Sequence, residues 1–190
     1  MFSLAPSLEY LQLGFTHVVP LGLDHILFIV TLFLPCKTLR AIIIQCSIFT
    51  IAHSISLALA TLNIVSISAK IIEPLIALTI LIAAIQNLLQ SRNDKSKLAL
   101  IFIFGLIHGM GFANALKDLL ANQHHLLNAL LFFNIGVELG QISVIFICYF
   151  GIKKWFGHKD WYQQKVIYPL SSIIACIAVY WLITRILVTT

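Results

Sequence analysis

Charged residues are scarce in this chain. Asp, Glu, Lys and Arg make up 10% of its 190 residues and 60% are hydrophobic, whereas an ordinary soluble domain carries about a quarter charged residues. This deficit excludes a water-soluble globule. Disorder is excluded as well, because the chain holds 13 Phe and long apolar runs that a solvated chain lacks. We therefore expect an all-α polytopic membrane protein whose residues 1–190 form a single transmembrane domain.

Several functional signatures are also missing. The sequence contains no phosphate-binding loop, no dinucleotide-binding glycine motif and no HExxH motif, so no catalytic residue and no organic-cofactor site is predicted. The net charge of +5 comes from dispersed Lys and Arg, which gives no nucleic-acid-binding surface. The four cysteines form no CxxC pair and are expected to be unpaired thiols. The first 20 residues lack Lys and Arg, so the first apolar segment is expected to be retained rather than cleaved as a signal peptide.

Polar residues divide the chain into six apolar segments, each predicted to be a transmembrane helix. They are residues 21–34, extended upstream from residue 8, then 41–62, 71–89, 98–116, 126–150 and 166–188. A 22-residue helix rises about 33 Å, enough to cross a hydrocarbon core of about 30 Å. The first helix is predicted to be broken near Pro20 and Gly22. Two spaced glycine pairs predict close helix packing, Gly105 with Gly109 and Gly136 with Gly140.

Basic residues between the segments predict the orientation in the membrane. The gaps after the first, third and fifth helices hold nine Lys and Arg, whereas the opposite side holds three, Lys70, Lys117 and Arg185. Cytoplasmic loops are enriched in basic residues, so both termini are expected outside the cytoplasm. His124 and His125 would then lie in an outer loop.

A few ionisable residues interrupt the apolar segments. They are Asp24 and His25 in the first helix, His53 in the second, His108 in the fourth and Glu138 in the fifth. A charged side chain at the centre of a membrane helix costs about 2.5 to 3.5 kcal/mol, which makes such a residue a functional candidate. Counted from the outer helix ends, all five fall in the outer half of the membrane or near its midplane. We expect them to meet in one shared site.

Neighbouring polar residues share helix faces with these candidates. Asn134, Glu138 and Gln141 form one stripe on the fifth helix, and Ser54 flanks His53 on the second. Such side chains are suited to orienting ligands. A single His inside a span more often makes a hydrogen bond between helices, but three His and two acids at matching depth favour a shared site.

The donor set indicates which cation this site would hold. Imidazole nitrogens and carboxylate oxygens together suit Ni, Co, Zn, Cu(II) or Fe(II), whereas Mg and Ca prefer oxygen alone. A divalent cation would also neutralise Asp24 and Glu138 together. Glu73, which opens the third helix, either interacts with the helix dipole or lines the rim of the site. The sequence predicts a divalent transition-metal site inside the membrane.

Four stretches of the chain carry a family resemblance. They read HVVPLGLDHILF at residues 17–28, FTIAHS at 49–54, GLIHGMGFA at 105–113 and FNIGVELGQ at 133–141. In this order they resemble the HupE/UreJ family of hydrogenase and urease accessory membrane proteins, over about residues 14–150. The resemblance implies a nickel or cobalt permease that feeds metalloenzyme maturation, with metallochaperones or maturation proteins as partners. The family's His and Asp-His motif implies that His17, Asp24 and His25 handle the metal.

One departure from the family pattern bears on the metal. His17 precedes Asp24 by seven residues rather than six, so the chain resembles the second branch of the family. This resemblance implies a transition metal rather than nickel specifically.

The predicted function is therefore import of a divalent transition metal, nickel, cobalt or zinc, across the inner membrane of a bacterium. The central metal site would comprise Asp24, His25, His53, His108 and Glu138. His17 and Glu73 would line an outer vestibule, and Asn134 and Gln141 would orient ligands or water.

Two other functions stay open, an intramembrane metal-dependent enzyme and a non-transporting metal-binding accessory subunit, and self-association is left open as well. Transport needs a polar path from the site to the cytoplasm. On the inner half of the second helix, that path would consist only of Gln45, Cys46, Ser47 and Thr50.

Overall fold

The computed structural model describes residues 4–90, 94–120 and 126–189, and within these ranges the chain is helical without any strand. Its α-helices are α1 Leu4–Val18, α2 Leu23–Phe33, α3 Leu39–Thr61, α4 Ala69–Leu88, α5 Asp94–Leu120, α6 Leu126–Cys148, α7 Lys154–Phe156 and α8 Tyr168–Thr189. Two π-helical turns, Tyr149–Lys153 and Gln163–Ile167, flank α7. The predicted all-α class is confirmed. His124 and His125 lie outside the described residues, so their loop position stays a prediction.

Apolar length distinguishes the helices that are able to cross a membrane. Four stretches are long and apolar enough, Leu39–Thr61, Ala69–Leu88, Leu126–Phe156 and Gln163–Val188. The bent pair Ser7–Val18 and Leu23–Phe33 together makes a fifth candidate span. α5 is apolar over the shorter stretch Lys97–Ala113. The described part of the chain therefore has four to five candidate spans, where the sequence predicts six.

The break between α1 and α2 bends the chain by 66°. Pro20 has no N–H group and cannot continue the hydrogen bonding of α1. At Gly22, an added Cβ would lie 2.1 Å from the carbonyl oxygen of His17, so only glycine lets the chain turn back this closely. The turn places His17 in the last turn of α1 beside His25 in the first turn of α2, with ring centroids 4.7 Å apart.

The helices pack mainly as three pairs, α1 with α6, α3 with α5 and α4 with α8, and α2 contacts members of all three pairs. Glycine permits the closest approaches between partners. An added Cβ on Gly109 would lie 2.2 Å from the carbonyl oxygen of His53, and one on Gly136 would lie 2.1 Å from that of Leu11. The predicted packing role of the two glycine pairs is confirmed, because helix backbones meet at both.

One end of the bundle is fastened by the segment between α6 and α8. Lys153 Nζ donates a hydrogen bond to the carbonyl oxygen of Cys36, and the Tyr162 hydroxyl donates one to the carbonyl oxygen of Leu34 at 3.4 Å. Burial raises the pKa of Tyr162 to about 12, so this phenol keeps the proton that it donates. These bonds tie the segment to the end of α2. All four cysteines are free thiols, as predicted.

Candidate metal centre

Three histidines from three helices meet where α1, α2 and α3 come together. His17, His25 and His53 each offer one ring nitrogen, and these three nitrogens lie within 4.8 Å of one another. Nitrogens bound to one tetrahedral metal ion lie about 3.3 Å apart, given metal–nitrogen bonds of about 2.0 to 2.1 Å. The rings would have to close by at most about 1.5 Å to bind one ion, which small side-chain rotations supply. We call these three residues the histidine group.

His108 lies next to the histidine group on α5. Its ring centroid is 5.3 Å from that of His25, although its nitrogens lie outside the tight set of three. His108 Nδ1 lies 2.8 Å from the carbonyl oxygen of Phe104, four residues earlier. This oxygen can only accept, so Nδ1 carries the hydrogen and the lone pair lies on Nε2. A fixed tautomer with a free Nε2 is typical of metal-binding histidines.

The histidine nitrogens have few polar partners. The buried nitrogens without a hydrogen-bond partner among the described residues are His17 Nε2, His25 Nε2, both nitrogens of His53 and His108 Nε2. Leaving one buried polar group unpaired costs about 1 to 3 kcal/mol. Five such atoms in one place indicate a site built for a group that the protein itself does not supply. Lone pairs of neutral imidazoles suit a cation.

Aromatic rings enclose the site. The ring of His17 lies 4.1 Å from that of Phe112, and the ring of His108 lies 5.0 Å from that of Phe49. His25, His53 and His108 are buried, and His53 has no exposed surface. Electrostatic attraction between a cation and its ligands is stronger in such a poorly solvated site than in water.

A cavity of about 450 Å³ leads to the histidines from the bend between α1 and α2. Its polar and ionisable lining includes Thr16, His17, His25, His108, Asp24, Glu73 and Arg185. His53 is fully buried and does not line this cavity. Glu73 lines this cavity, which agrees with its predicted position at the rim of the site. Glu73 does not open the helix, because α4 begins a full turn earlier at Ala69 with Ser68 as its N-cap.

Asp24 does not join the histidine group. Its carboxylate forms a salt bridge with Arg185, whose Nη2 lies 3.0 Å from Oδ2. The same guanidinium donates from Nη1 to the carbonyl oxygen of Glu73 at 3.0 Å. The sequence predicts Arg185 only as one of three basic residues on the outer side of the membrane. Its position inside the last apolar helix, where an ionisable residue is costly, was the signal that pointed to a role.

Glu138 also lies apart from the histidine group. Its Oε1 accepts a hydrogen bond from Ser47 Oγ at 2.7 Å, and Gln141 Oε1 accepts one from Thr50 Oγ1 at 3.2 Å. Asn134, one turn before Glu138, is the member of this stripe that lies beside His53. The stripe predicted on this helix therefore faces α3. Only its first residue reaches the histidines.

Two further sequence expectations differ from the structure. His17, predicted in an outer vestibule, is a member of the histidine group. The bend between α1 and α2 is the physical reason, since it returns the chain onto His25. The Ser54 hydroxyl, expected beside the imidazole of His53, donates instead to the carbonyl oxygen of Thr50 at 2.7 Å. A hydroxyl in a membrane helix commonly satisfies its donor on its own backbone in this way.

Comparison with known protein families gives a match over nearly the whole chain. A family model described as HupE / UreJ protein matches residues 3–185, a range that includes the histidine group, His108, Asp24 and Arg185. No curated protein and no solved structure matches the chain. Since the family model covers nearly the whole chain, the protein belongs to the HupE/UreJ family.

Proposed function

We propose that this protein is an integral membrane permease for a divalent transition metal, of the nickel and cobalt class, that supplies metalloenzyme maturation. The observation that carries the proposal is the histidine group, three imidazoles from separate helices whose nitrogens lie within 4.8 Å of one another. Membership of the HupE/UreJ family supports it. The metal is the substrate, and the histidines are its binding site.

The chemistry of the donors defines the substrate class. Imidazole is a borderline ligand that suits Ni²⁺, Co²⁺ and Zn²⁺, whereas Mg²⁺ and Ca²⁺ prefer oxygen. The histidine group contains nitrogen donors only, because the carboxylates of Asp24 and Glu138 both lie outside it. Discrimination against the abundant hard cations follows directly from the absence of carboxylates at the group itself.

The proposed topology has six membrane crossings. The bent pair α1 and α2 would form the first, and α3, α4, α5, α6 and α8 the others. α5 has 27 residues, which corresponds to about 40 Å of helix. Basic residues near the end fastened by Lys153 favour that end as the cytoplasmic side of a bacterial inner membrane, with both termini outside. The cavity beside Asp24 would then open outwards.

The cation would reach the histidines through this cavity. The exposed Glu73 and the partly exposed Asp24 and Arg185 define the mouth of this cavity, and His25 is buried, so a cation from solvent would pass carboxylates before it meets that imidazole. Phenylalanine rings border the histidines, and in such a poorly solvated site the attraction between the cation and the ring nitrogens is stronger than in water. Inward movement of a divalent cation is favoured by about 4.6 kcal/mol per 100 mV of membrane potential.

The test is uptake of radiolabelled Ni²⁺, Co²⁺ and Zn²⁺ into proteoliposomes with an inside-negative potential. Wild-type protein should take up at least one of these ions and exclude Mg²⁺, and His53→Ala should abolish the uptake. His158→Ala is the matched control, because His158 is exposed and outside the candidate spans. Loss of uptake in both variants would remove the assigned role of the histidine group.

A static metal site would give a different result. Wild-type protein would then bind the ion in detergent, His53→Ala would not, and no uptake would occur in either. That outcome would favour a metal-dependent enzyme or an accessory subunit over a permease.

A further inference from the structure

Polar side chains continue from the histidine group along the interface between α3 and α6. Asn134 lies beside His53, and the next contacts across the interface are Thr50 with Gln141 and Ser47 with Glu138. Thr50 and Ser47 precede His53 by three and six residues, which places them about 4.5 and 9 Å further along α3. The series runs towards the end of the bundle that carries Cys36 and Lys153.

This series continues beyond Glu138. Gln45 and Cys46 follow on α3, and Gln45 Nε2 lies 3.9 Å from the Sγ of Cys36. Gln45 Oε1 is buried without a hydrogen-bond partner among the described residues, and so is Asn134 Oδ1. Unpaired buried oxygens are unfavourable unless they serve a further partner. Asn134 Oδ1 lies at the beginning of this polar series, and Gln45 Oε1 lies at its end.

A second group of buried polar residues lies between α2, α4 and α8, and its members are bonded within the protein. α2 contributes Thr31 beside the apolar core residues Phe28, Leu32 and Phe33. α4 contributes Asn87. Its Nδ2 donates to the carbonyl oxygen of Thr31 at 2.8 Å and to other groups of the core, so this amide has a structural role in joining helices.

Charge also distinguishes the α3–α6 interface. Glu138 is half-buried, and the described residues give it the Ser47 hydroxyl but no basic partner. Asp24, by contrast, is paired with Arg185. An unpaired carboxylate inside a membrane span is costly and is therefore a functional candidate. A divalent cation that crosses the apolar half of the bundle is stabilised by such a charge.

We infer that the cation leaves the histidine group between α3 and α6, and that Glu138 with Ser47, Thr50 and Gln141 forms a second, inner cation-binding site on this route. The inference rests on the proposed function. Ser47, the partner of Glu138, is about 9 Å along α3 from His53, whereas two ligands of one ion lie about 3 to 4 Å apart. Glu138 therefore serves a separate site rather than the histidine group.

The two sites differ in ligand chemistry in a way that favours inward transfer. The histidine group offers nitrogen, whereas the inner site offers a carboxylate, two hydroxyls and an amide oxygen. Oxygen donors bind borderline metal ions more weakly than imidazole does. Conduction requires each site to bind strongly enough for occupancy and weakly enough for release. Strong nitrogen ligation followed by weak oxygen ligation satisfies both conditions.

The test separates binding from transport in Glu138→Gln. Ni²⁺ affinity in detergent, measured by isothermal titration calorimetry, should stay within about twofold of wild type, because the histidine group is intact. Uptake into proteoliposomes should fall at least about tenfold, because the carboxylate on the route has lost its charge. His53→Ala should lose both. An equal loss of affinity in Glu138→Gln and His53→Ala would overturn the inference, since Glu138 would then be a ligand of the histidine group.

A matched pair of serine variants keeps the test independent of the carboxylate. Ser47→Ala removes the hydroxyl that contacts Glu138, whereas Ser143→Ala removes one that donates to the carbonyl oxygen of Gly140. Uptake should fall in Ser47→Ala and stay unchanged in Ser143→Ala. Unchanged uptake in both Ser47→Ala and Glu138→Gln would also overturn the inner site, even though the permease function would stand. An absence of uptake by wild-type protein would overturn both proposals together.

Discussion

Arg185 holds the carboxylate of Asp24 at the mouth of the cavity. Its Nη2 lies 3.0 Å from Oδ2 and 3.2 Å from Oδ1 of Asp24, and its Nη1 donates to the carbonyl oxygen of Glu73. One guanidinium thus joins α2, α4 and α8. A cation that arrives at this mouth meets a carboxylate that already has a positively charged partner. A metal ion at this mouth would therefore compete with the guanidinium for Asp24.

This competition predicts the effect of Arg185→Gln. Removal of the guanidinium frees Asp24 to attract the metal, so the Kd for Ni²⁺ should decrease about twofold to fivefold. The side chains of Arg185 and Asp24 are 21% and 25% exposed, and partly exposed ion pairs contribute up to about 1 kcal/mol. Calorimetric titration in detergent measures the change.

The double variant Asp24→Asn with Arg185→Gln provides the control. It has no carboxylate to free, so the gain seen in Arg185→Gln should disappear, which a double-mutant cycle detects as non-additivity. Equal affinities for wild type and Arg185→Gln would contradict competition at Asp24.

His53→Leu should separate metal binding from stability. Both His53 nitrogens are buried without a partner, and the ring has no exposed surface. A leucine of similar size removes these unpaired groups, so the melting temperature of metal-free protein should rise by about 2 to 4 °C. Ni²⁺ binding should weaken at least about tenfold, since loss of groups that only support ligands already costs this much. A lower melting temperature without metal would show that the imidazole stabilises the fold itself.

Gly109→Ala should disturb the histidine group through the backbone. An added Cβ would lie 2.2 Å from the carbonyl oxygen of His53 and 2.1 Å from Ser56 Oγ, so α3 and α5 must separate. Overpacking of this kind costs about 1 to 3 kcal/mol. Thermal unfolding should detect the loss, and Ni²⁺ affinity should fall because His53 moves.

Gly151→Ala is the control for this substitution. An added Cβ on Gly151 meets no atom within 4 Å, so stability and Ni²⁺ affinity should match wild type. A similar loss in Gly109→Ala and Gly151→Ala would mean that the close contact between α3 and α5 does not matter.

Metal binding should stabilise the folded protein. A ligand present at about 100 times its Kd adds about 2.7 kcal/mol to the free energy of unfolding. For a chain of this size, that corresponds to an increase in melting temperature of about 5 to 10 °C. Differential scanning fluorimetry should show the increase with Ni²⁺ or Co²⁺ and its reversal by a chelator. An equal increase with Mg²⁺ would indicate an oxygen-donor site and contradict a site built from imidazoles.

Much of the helical architecture is predictable because the lipid interior offers no hydrogen-bonding partners to the backbone. Backbone groups in hydrocarbon have to be bonded within their own segment, so long apolar runs become helices. The predicted segment 41–62 corresponds to α3 Leu39–Thr61, and 166–188 corresponds to α8 Tyr168–Thr189. Pro20 and Gly22 both disfavour a continuous helix, and α1 and α2 meet next to them at an angle of 66°.

The composition of the site was only partly predictable. Asp24, His25 and Glu138 all stood out because ionisable residues are rare and costly inside spans. Helical periodicity places Glu138 and Asn134 on one face of α6. It does not determine which residues of α3 contact each of them. For this reason the central site was predicted with Glu138 as a member, whereas the structure pairs Glu138 with Ser47.

By itself, the sequence determined the helical class, several long apolar helices and the short set of ionisable residues from which a site can be made. Only the tertiary structure decided that His17 joins His25 and His53, and that Asp24 pairs with Arg185. The physical reason is that hydrophobicity and the cost of buried charge act on each segment separately. Which side chains meet depends instead on the bend between α1 and α2 and on how closely glycine lets neighbouring helices approach.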